Sequence, residues 1–376
     1  MNQDILLISL SLLTWGFGES AFLQFLPLYL QQLGAQPVEI GGILGAFSLA
    51  AAIFHLPAGY LSDKIGRKPV IIAAWFIGLI GVIIMALVHS LPLFIVSIFI
   101  YGSTSFVMPP LNSYLSHISS KFSVARVLTF VSAAYNLGAM FGPLIGGYIG
   151  DHFGLNKIFY FSAGIIVISN VMINFIHSQP SLQQQKPTKA LRSVFNKNFL
   201  LFNSVLVFMI FATYLPQPLT PNFLRNQLNF SLSTIGFLFF INGAGIVVLN
   251  LLIGGLNAYL GLLIGQIFVL IFSLILCRWS TLPLIAMGIF ILGGFRAART
   301  MGTAQLRCYI KPENLGMAFG FSEMVIALGL FLSSSFAGYL YNHQPTAMYY
   351  IGSGLIALSI VFSILFKSLE KHPELE

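Results

Sequence analysis

The sequence predicts an all-α membrane protein of twelve transmembrane helices in two pseudo-symmetric six-helix bundles. Three observations predict it. The 376-residue chain is 57% hydrophobic and only 7% charged, with a mean hydropathy of +0.89. A soluble protein carries roughly a quarter charged residues, so this chain cannot cover a water-facing surface. Apolar runs long enough to cross a bilayer, which takes about 20 residues, recur from one end to the other. The runs of the second half also repeat those of the first.

The runs fall at 5–33, 38–61, 69–89, 91–117, 123–150, 157–177, 199–221, 232–256, 261–279, 282–307, 315–342 and 347–367. Polar or Pro/Gly punctuation divides them: "GAQPVE" ends the first, "HSLP" the third and "GDHFGLNK" the fifth. The start, "MNQDILLISL", lacks the basic segment of a cleavable signal peptide and reads as the beginning of the first span. The longest polar stretch, "HSQPSLQQQKPTKALRSVFNKN", separates runs six and seven. The predicted organisation is therefore a six-helix bundle over 1–177, a cytoplasmic linker over 178–198 and a second bundle over 199–376. Basic loops remain on the cytoplasmic side. With the N-terminus inside, Lys64, Arg67, Lys68, Lys121, Arg126, Lys186, Lys189, Arg192, Lys197, Arg307, Lys311, Lys367 and Lys371 lie inside, and only Lys157, Arg225 and Arg278 outside. Both termini are expected in the cytoplasm and the protein in the cytoplasmic (plasma) membrane.

The repeat is read from four places in register. "PLYLQQLGAQPVEIG" (27–41) matches "PNFLRNQLNFSLSTIG" (221–236), and "GYLSDKIG" (59–66) falls on "GGLNAYLG" (254–261). Pro92 and Gly102 match Pro283 and Gly293, and "LGAMFGPLIGGY" (137–148) matches "LGLFLSSSFAGY" (328–339). Any one match between apolar helices is weak. Agreement in order across four spans indicates two halves in parallel repeat.

Two motifs carry a family resemblance. Gly59-x-Leu61-Ser62-Asp63-Lys64-x-Gly66-Arg67-Lys68, between spans two and three, resembles the loop motif of the major facilitator superfamily. "GAMFGPLIGG" (138–147) in span five resembles the Gly-Pro motif of its antiporter branches, notably drug–proton exporters. The resemblance implies the major facilitator fold and alternating access, with a substrate site lined by spans one, four, seven and ten. In the loop, Gly59 and Gly66 permit a tight turn, and Arg67 and Lys68 are placed to meet anionic head groups. The resemblance sets Asp63 against the start of span eleven, near Asn314 and Leu315, as a gate latch; the alternative is a solvated turn anchor. In span five, Gly138, Gly142 and Gly146 form a ridge for close packing, and Pro143 removes a backbone donor. The resemblance makes this ridge a seal against the other half.

Ionisable groups at membrane depth are costly and become functional candidates. Glu19 in span one and Arg296 in span ten both fall on spans that the resemblance places around the substrate path. Glu19 reads as a proton-coupling carboxylate, as a counter-ion for Arg296 or a cationic substrate, or as half of a structural pair. Arg296 reads as cavity-facing, and Arg299 as the structural partner of Glu323. Gln24, Tyr101, Asn112, Tyr214 and Gln217 supply weakly polar positions among abundant aromatics, a lining suited to amphiphilic ligands. Span four carries neither the buried Arg typical of the resembled exporters nor an acid.

No nucleophile–base pair, phosphate loop or metal-ligand spacing occurs, so neither an enzyme, a cofactor nor a metal centre is expected. The net charge of +8 is distributed by topology and gives no nucleic-acid footprint. The expected function is secondary transport of small molecules by a monomer in the lipid bilayer, as proton-coupled efflux of amphiphilic drugs or metabolites. The alternatives are an uptake permease for a small organic anion or sugar, and a lipid flippase.

Overall fold

The computed structural model describes residues 3–118, 123–179, 197–306, 309–310 and 315–369. Among these residues the regular structure is helical throughout. The first half contains α1 (Gln3–Leu23), α2 (Leu26–Gln32), α3 (Pro37–Ile65), α4 (Arg67–Leu87), α5 (Leu91–Ser103), α6 (Met108–Ile118), α7 (Val124–Phe153) and α8 (Leu155–Asn174). The second contains α9 (Lys197–Tyr214), α10 (Thr220–Asn226), α11 (Leu232–Gly254), α12 (Ala258–Arg278), α13 (Leu282–Ile291), α14 (Gly294–Gln305), α15 (Leu315–His343) and α16 (Ala347–Leu369). Among the described residues, eleven helical segments are long and apolar enough to cross a membrane. The predicted linker falls mostly at 180–196, outside the described residues.

Four of the predicted runs are interrupted helices. Run one breaks at Gln24–Phe25, between α1 and α2, and run seven breaks over 215–219, between α9 and α10. Run four passes through a 3-10 turn at Thr104–Val107, and run ten breaks at Leu292–Gly293. These are the first and fourth runs of each half, and the other described runs are single helices. Proline explains most of the breaks, because it lacks an N–H and crowds the preceding turn. Pro27 follows the first break, Pro109 and Pro110 open α6, and Pro216 and Pro218 lie within the third. Run ten has no proline beside its break at Leu292–Gly293, where two successive glycines, Gly293 and Gly294, stand instead. By contrast, α7 continues through Pro143.

The loop between runs two and three is shorter than expected. Helix α3 extends to Ile65 and α4 begins at Arg67, so Gly59 lies within a helix and Gly66 alone makes the turn. Gly66 has φ +93°, a left-handed conformation that favours glycine. Arg67 does not reach lipid head groups: it is 4% exposed, and its Nη1 donates to Gln179 Oε1 at 2.8 Å. Lys68 is half-buried. The Asp63 side chain and Asn314 lie outside the described residues, as does the proposed latch between them.

The chain forms two compact units. The first comprises residues 1–36, 46–187 and 221–243; the second comprises 37–45, 188–220 and 244–376. Each unit thus takes a short piece from the other half of the sequence. In the first unit, α1 lies along α7 and α8. Gly138, Gly142 and Gly146 face Leu13, Phe17 and Ala21, so the ridge of α7 packs against α1. The neighbouring Gly147 meets Leu232 and Ser233 of α11, Gly150 also meets Leu232, and Gly236 in turn meets the Pro143 carbonyl. Buried serines bind helices at a depth where no water competes. Ser11 and Ser169 each donate to the other's carbonyl, at 2.9 and 2.6 Å, and both accept from Trp75 Nε1 at 2.9 Å. The second unit builds its core from Phe199, Phe202, Leu206 and Ile210 with Ala298 and Leu306. Its polar ties include Ser322 to Asn203 at 2.8 Å and Ser359 to Gln266 at 2.8 Å.

Candidate substrate cavity in the first unit

A cavity of about 410 Å³ opens inside the first unit, between α1, α3, α4, α7 and the interrupted fourth run. Its floor follows from helical spacing. Trp15 and Glu19 are four residues apart on α1, so they share a face and both line the cavity. Trp15 packs on Trp75 with ring centroids 5.2 Å apart and stacks on Tyr101 at 5.9 Å. The serine pair that holds the Trp75 nitrogen therefore also fixes the aromatic wall. Asn112 and Met108 on α6 border the exposed part of the lining.

Among the described residues, Glu19 is the only charged one lining the cavity. It is half-buried, and its Oε2 accepts a 2.7 Å hydrogen bond from the Tyr135 hydroxyl. The Tyr101 hydroxyl is buried, acts electrostatically on Glu19 and has no hydrogen-bond partner within 3.5 Å among the described residues. A carboxylate flanked by phenols in an aromatic chamber can exchange a proton, or hold a cation against ring faces.

The cavity gathers Glu19, Tyr101 and Asn112 but not every predicted residue. Gln24 sits at the α1–α2 break, half-buried and outside the lining. Tyr214, Gln217 and Arg296 belong to the second unit. Tyr214 packs on Phe295 at 5.6 Å, and Gln217 donates to the Thr213 carbonyl at 2.7 Å. Arg296 is exposed on α14, acts on Tyr214 electrostatically and makes no side-chain hydrogen bond among the described residues. Arg299 Nη2 donates to Glu323 Oε2 at 2.8 Å, with the two side chains 36% and 42% exposed.

Three groups escaped the sequence reading. Tyr135 lies one turn before Gly138, on the α7 face that the glycine spacing already marked, and that periodicity could have found it. Asp151 accepts from the backbone N–H of Leu232 at 2.8 Å and of Ser233 at 2.7 Å, capping the start of α11 within the first unit. Asp4 accepts from Tyr114 at 2.8 Å and pairs with His177 at 2.8 Å, which ties α1 and α6 to the end of α8. Neither acid stands in a pattern that spacing alone can assign.

A sequence profile of the Major Facilitator Superfamily matches residues 8–256 and 204–376. The chain belongs to the major facilitator superfamily. It is a multi-pass membrane transporter, not an enzyme. Among its relatives is an uncharacterized MFS-type transporter of Methanocaldococcus jannaschii, 25% identical over 374 residues, 96% of this chain and 97% of the relative. The quinolone resistance protein NorA of Staphylococcus aureus is 24% identical over 383 residues, covering 98% and 97%. Among solved structures, a mutant of the nucleoside transporter NupG superposes with a TM-score of 0.82 at 15% identity, over 98% of this chain and 100% of that one. The human organic anion transporter MFSD10 superposes with a TM-score of 0.69 at 16% identity, over 96% and 99%. These major facilitator structures share the fold; at such identity they carry no substrate over to this chain.

Proposed function

We propose that this transporter exports amphiphilic monocations in exchange for protons, with Glu19 as the site that the two compete for. One observation carries the reading: among the described residues Glu19 is the only charged group lining a mainly aromatic and apolar cavity. An acid there attracts cations and repels anions, and the tryptophan and tyrosine faces add cation–π attraction. The span-five motif of exporters and the similarity to NorA, named for quinolone resistance, point the same way. In this reading α3, whose apolar stretch runs Pro37–Ile53, is the twelfth span. The halves are bundles at 1–177 and 199–376, joined by a linker at 178–198. The protein is a monomer in the cytoplasmic membrane with both termini inside, and access to the cavity alternates between the two sides.

The test uses the purified protein in vesicles, with tetraphenylphosphonium as the probe and an imposed pH gradient. Gradient-driven accumulation by the parent is expected. Glu19→Gln should retain exchange of probe across the membrane and lose accumulation. Normal accumulation by Glu19→Gln overturns the assignment. A second reading, uptake of a small organic anion, draws on Arg296, which is exposed without a side-chain hydrogen bond among the described residues. Gradient-independent anion movement that Arg296→Ala abolishes would favour it.

A further inference from the structure

Tyr135 is held against α1 at two points. Its hydroxyl donates to Glu19 at 2.7 Å, and its backbone carbonyl lies against Gly16, where a β-carbon would come within 2.5 Å. The phenol therefore has little freedom to leave the carboxylate while α1 and α7 stay packed. On the cavity's other side, Tyr101 is 2% exposed, and its hydroxyl lacks a partner within 3.5 Å among the described residues. A buried hydroxyl that acts on Glu19 without a full hydrogen bond is costly unless it completes one at some stage.

We propose that Tyr135 and Tyr101 form a phenol clamp on Glu19, in which Tyr135 is the resident donor and Tyr101 closes on the ionised carboxylate. The clamp positions the carboxylate and sets the pH at which it gives up its proton to solvent. It rests on the assignment of Glu19 as the proton site. A phenol O–H donates to the ionised carboxylate and stabilises that form. Loss of one donor to a charged group therefore moves its titration to higher pH by about one unit. Among the described residues lining the cavity, the titratable groups beside Glu19 are Tyr101 and Tyr135. On the fourth run Tyr101 acts on it, whereas Tyr114 is bound to Asp4. On α7 Tyr135 donates to it. Helix α8 presents Ile165 and Ile166 to α1, while its Lys157 lies over Tyr160 near its start.

The chain has three tryptophans, Trp15, Trp75 and Trp279. Trp279 is 48% exposed and does not line the cavity, so Trp279→Phe leaves emission that reports on Trp15 and Trp75 beside Tyr101. In that background, fluorescence and tetraphenylphosphonium binding are followed across pH. One transition is expected in the parent, and its loss is expected in Glu19→Gln. Tyr135→Phe should move the midpoint up by about one unit, and Tyr101→Phe should move it up by less. A transition that persists in Glu19→Gln overturns the proton site and the clamp together. A transition lost in Glu19→Gln but unmoved in Tyr135→Phe overturns the clamp alone. Reduced thermal stability of Tyr135→Phe with an unmoved midpoint does the same, because it assigns the tyrosine to packing.

Discussion

A β-carbon at Gly142 would collide with Ser20 Oγ and the Phe17 carbonyl, and one at Gly146 with the Ala21 carbonyl. At these positions the missing side chain is what lets two backbones touch. The same residue type elsewhere has no such duty: Gly164, on α8, has nothing within 4 Å of where a β-carbon would stand. Gly142→Val is expected to cost about 1–3 kcal/mol through overpacking, and Gly164→Ala to be neutral or slightly stabilising in the helix. Thermal melting of the purified protein distinguishes them; equal melting temperatures would remove the close packing of α1 on α7. Glu19 was identifiable from sequence because a carboxylate in an apolar run stands out against its neighbours. For Tyr135 the glycine spacing of α7 marks only the face it lies on; the packing of α7 on α1 decides that its hydroxyl meets Glu19. Arg67 shows the opposite limit. Its charge suggested contact with head groups, but its burial on Gln179 is a tertiary fact.

At the scale of elements, the interrupted helices are the principal departure from the sequence reading. The apolar runs concerned, 23 to 29 residues long, read as continuous spans. The structure breaks the first and fourth run of each half and leaves the other described runs whole. Breaks free backbone polar groups, which membrane proteins tolerate where protein or a water-filled cavity covers them. The broken fourth run lines the cavity of the first unit. Element ends also carry function that propensity does not reveal. Asp151 at the end of α7 caps α11 through two charge-assisted bonds, which favour a carboxylate at a helix start. Asp151→Ala should remove about 0.5–2 kcal/mol from that joint. A cysteine placed at Thr234 should then react faster with a membrane-impermeant maleimide; an unchanged rate would show that Gly147 and Gly236 hold the joint without the cap.

At the scale of the whole molecule, orientation has a direct test. In a background with Cys277→Ala and Cys308→Ala, Ser90→Cys is expected to label from outside intact cells, and Lys367→Cys only after the membrane is opened. The reverse pattern would invert the topology and with it the direction assigned to transport. The sequence by itself determined that this chain lives in a bilayer, that it is helical, and which superfamily it belongs to. Those properties rest on composition, run length and ordered local motifs, all of them carried along the chain. Tertiary structure decided which residues meet: that the glycine ridge of α7 serves α1, that Trp75 is held by two serines from different helices, and that Glu19 has a phenol partner. Helical periodicity fixes only the face on which a side chain lies. The partner of that face depends on how the helices pack, and in an apolar bundle many alternative pairings have nearly the same pattern. Close backbone contact and the need to satisfy buried polar groups choose among them.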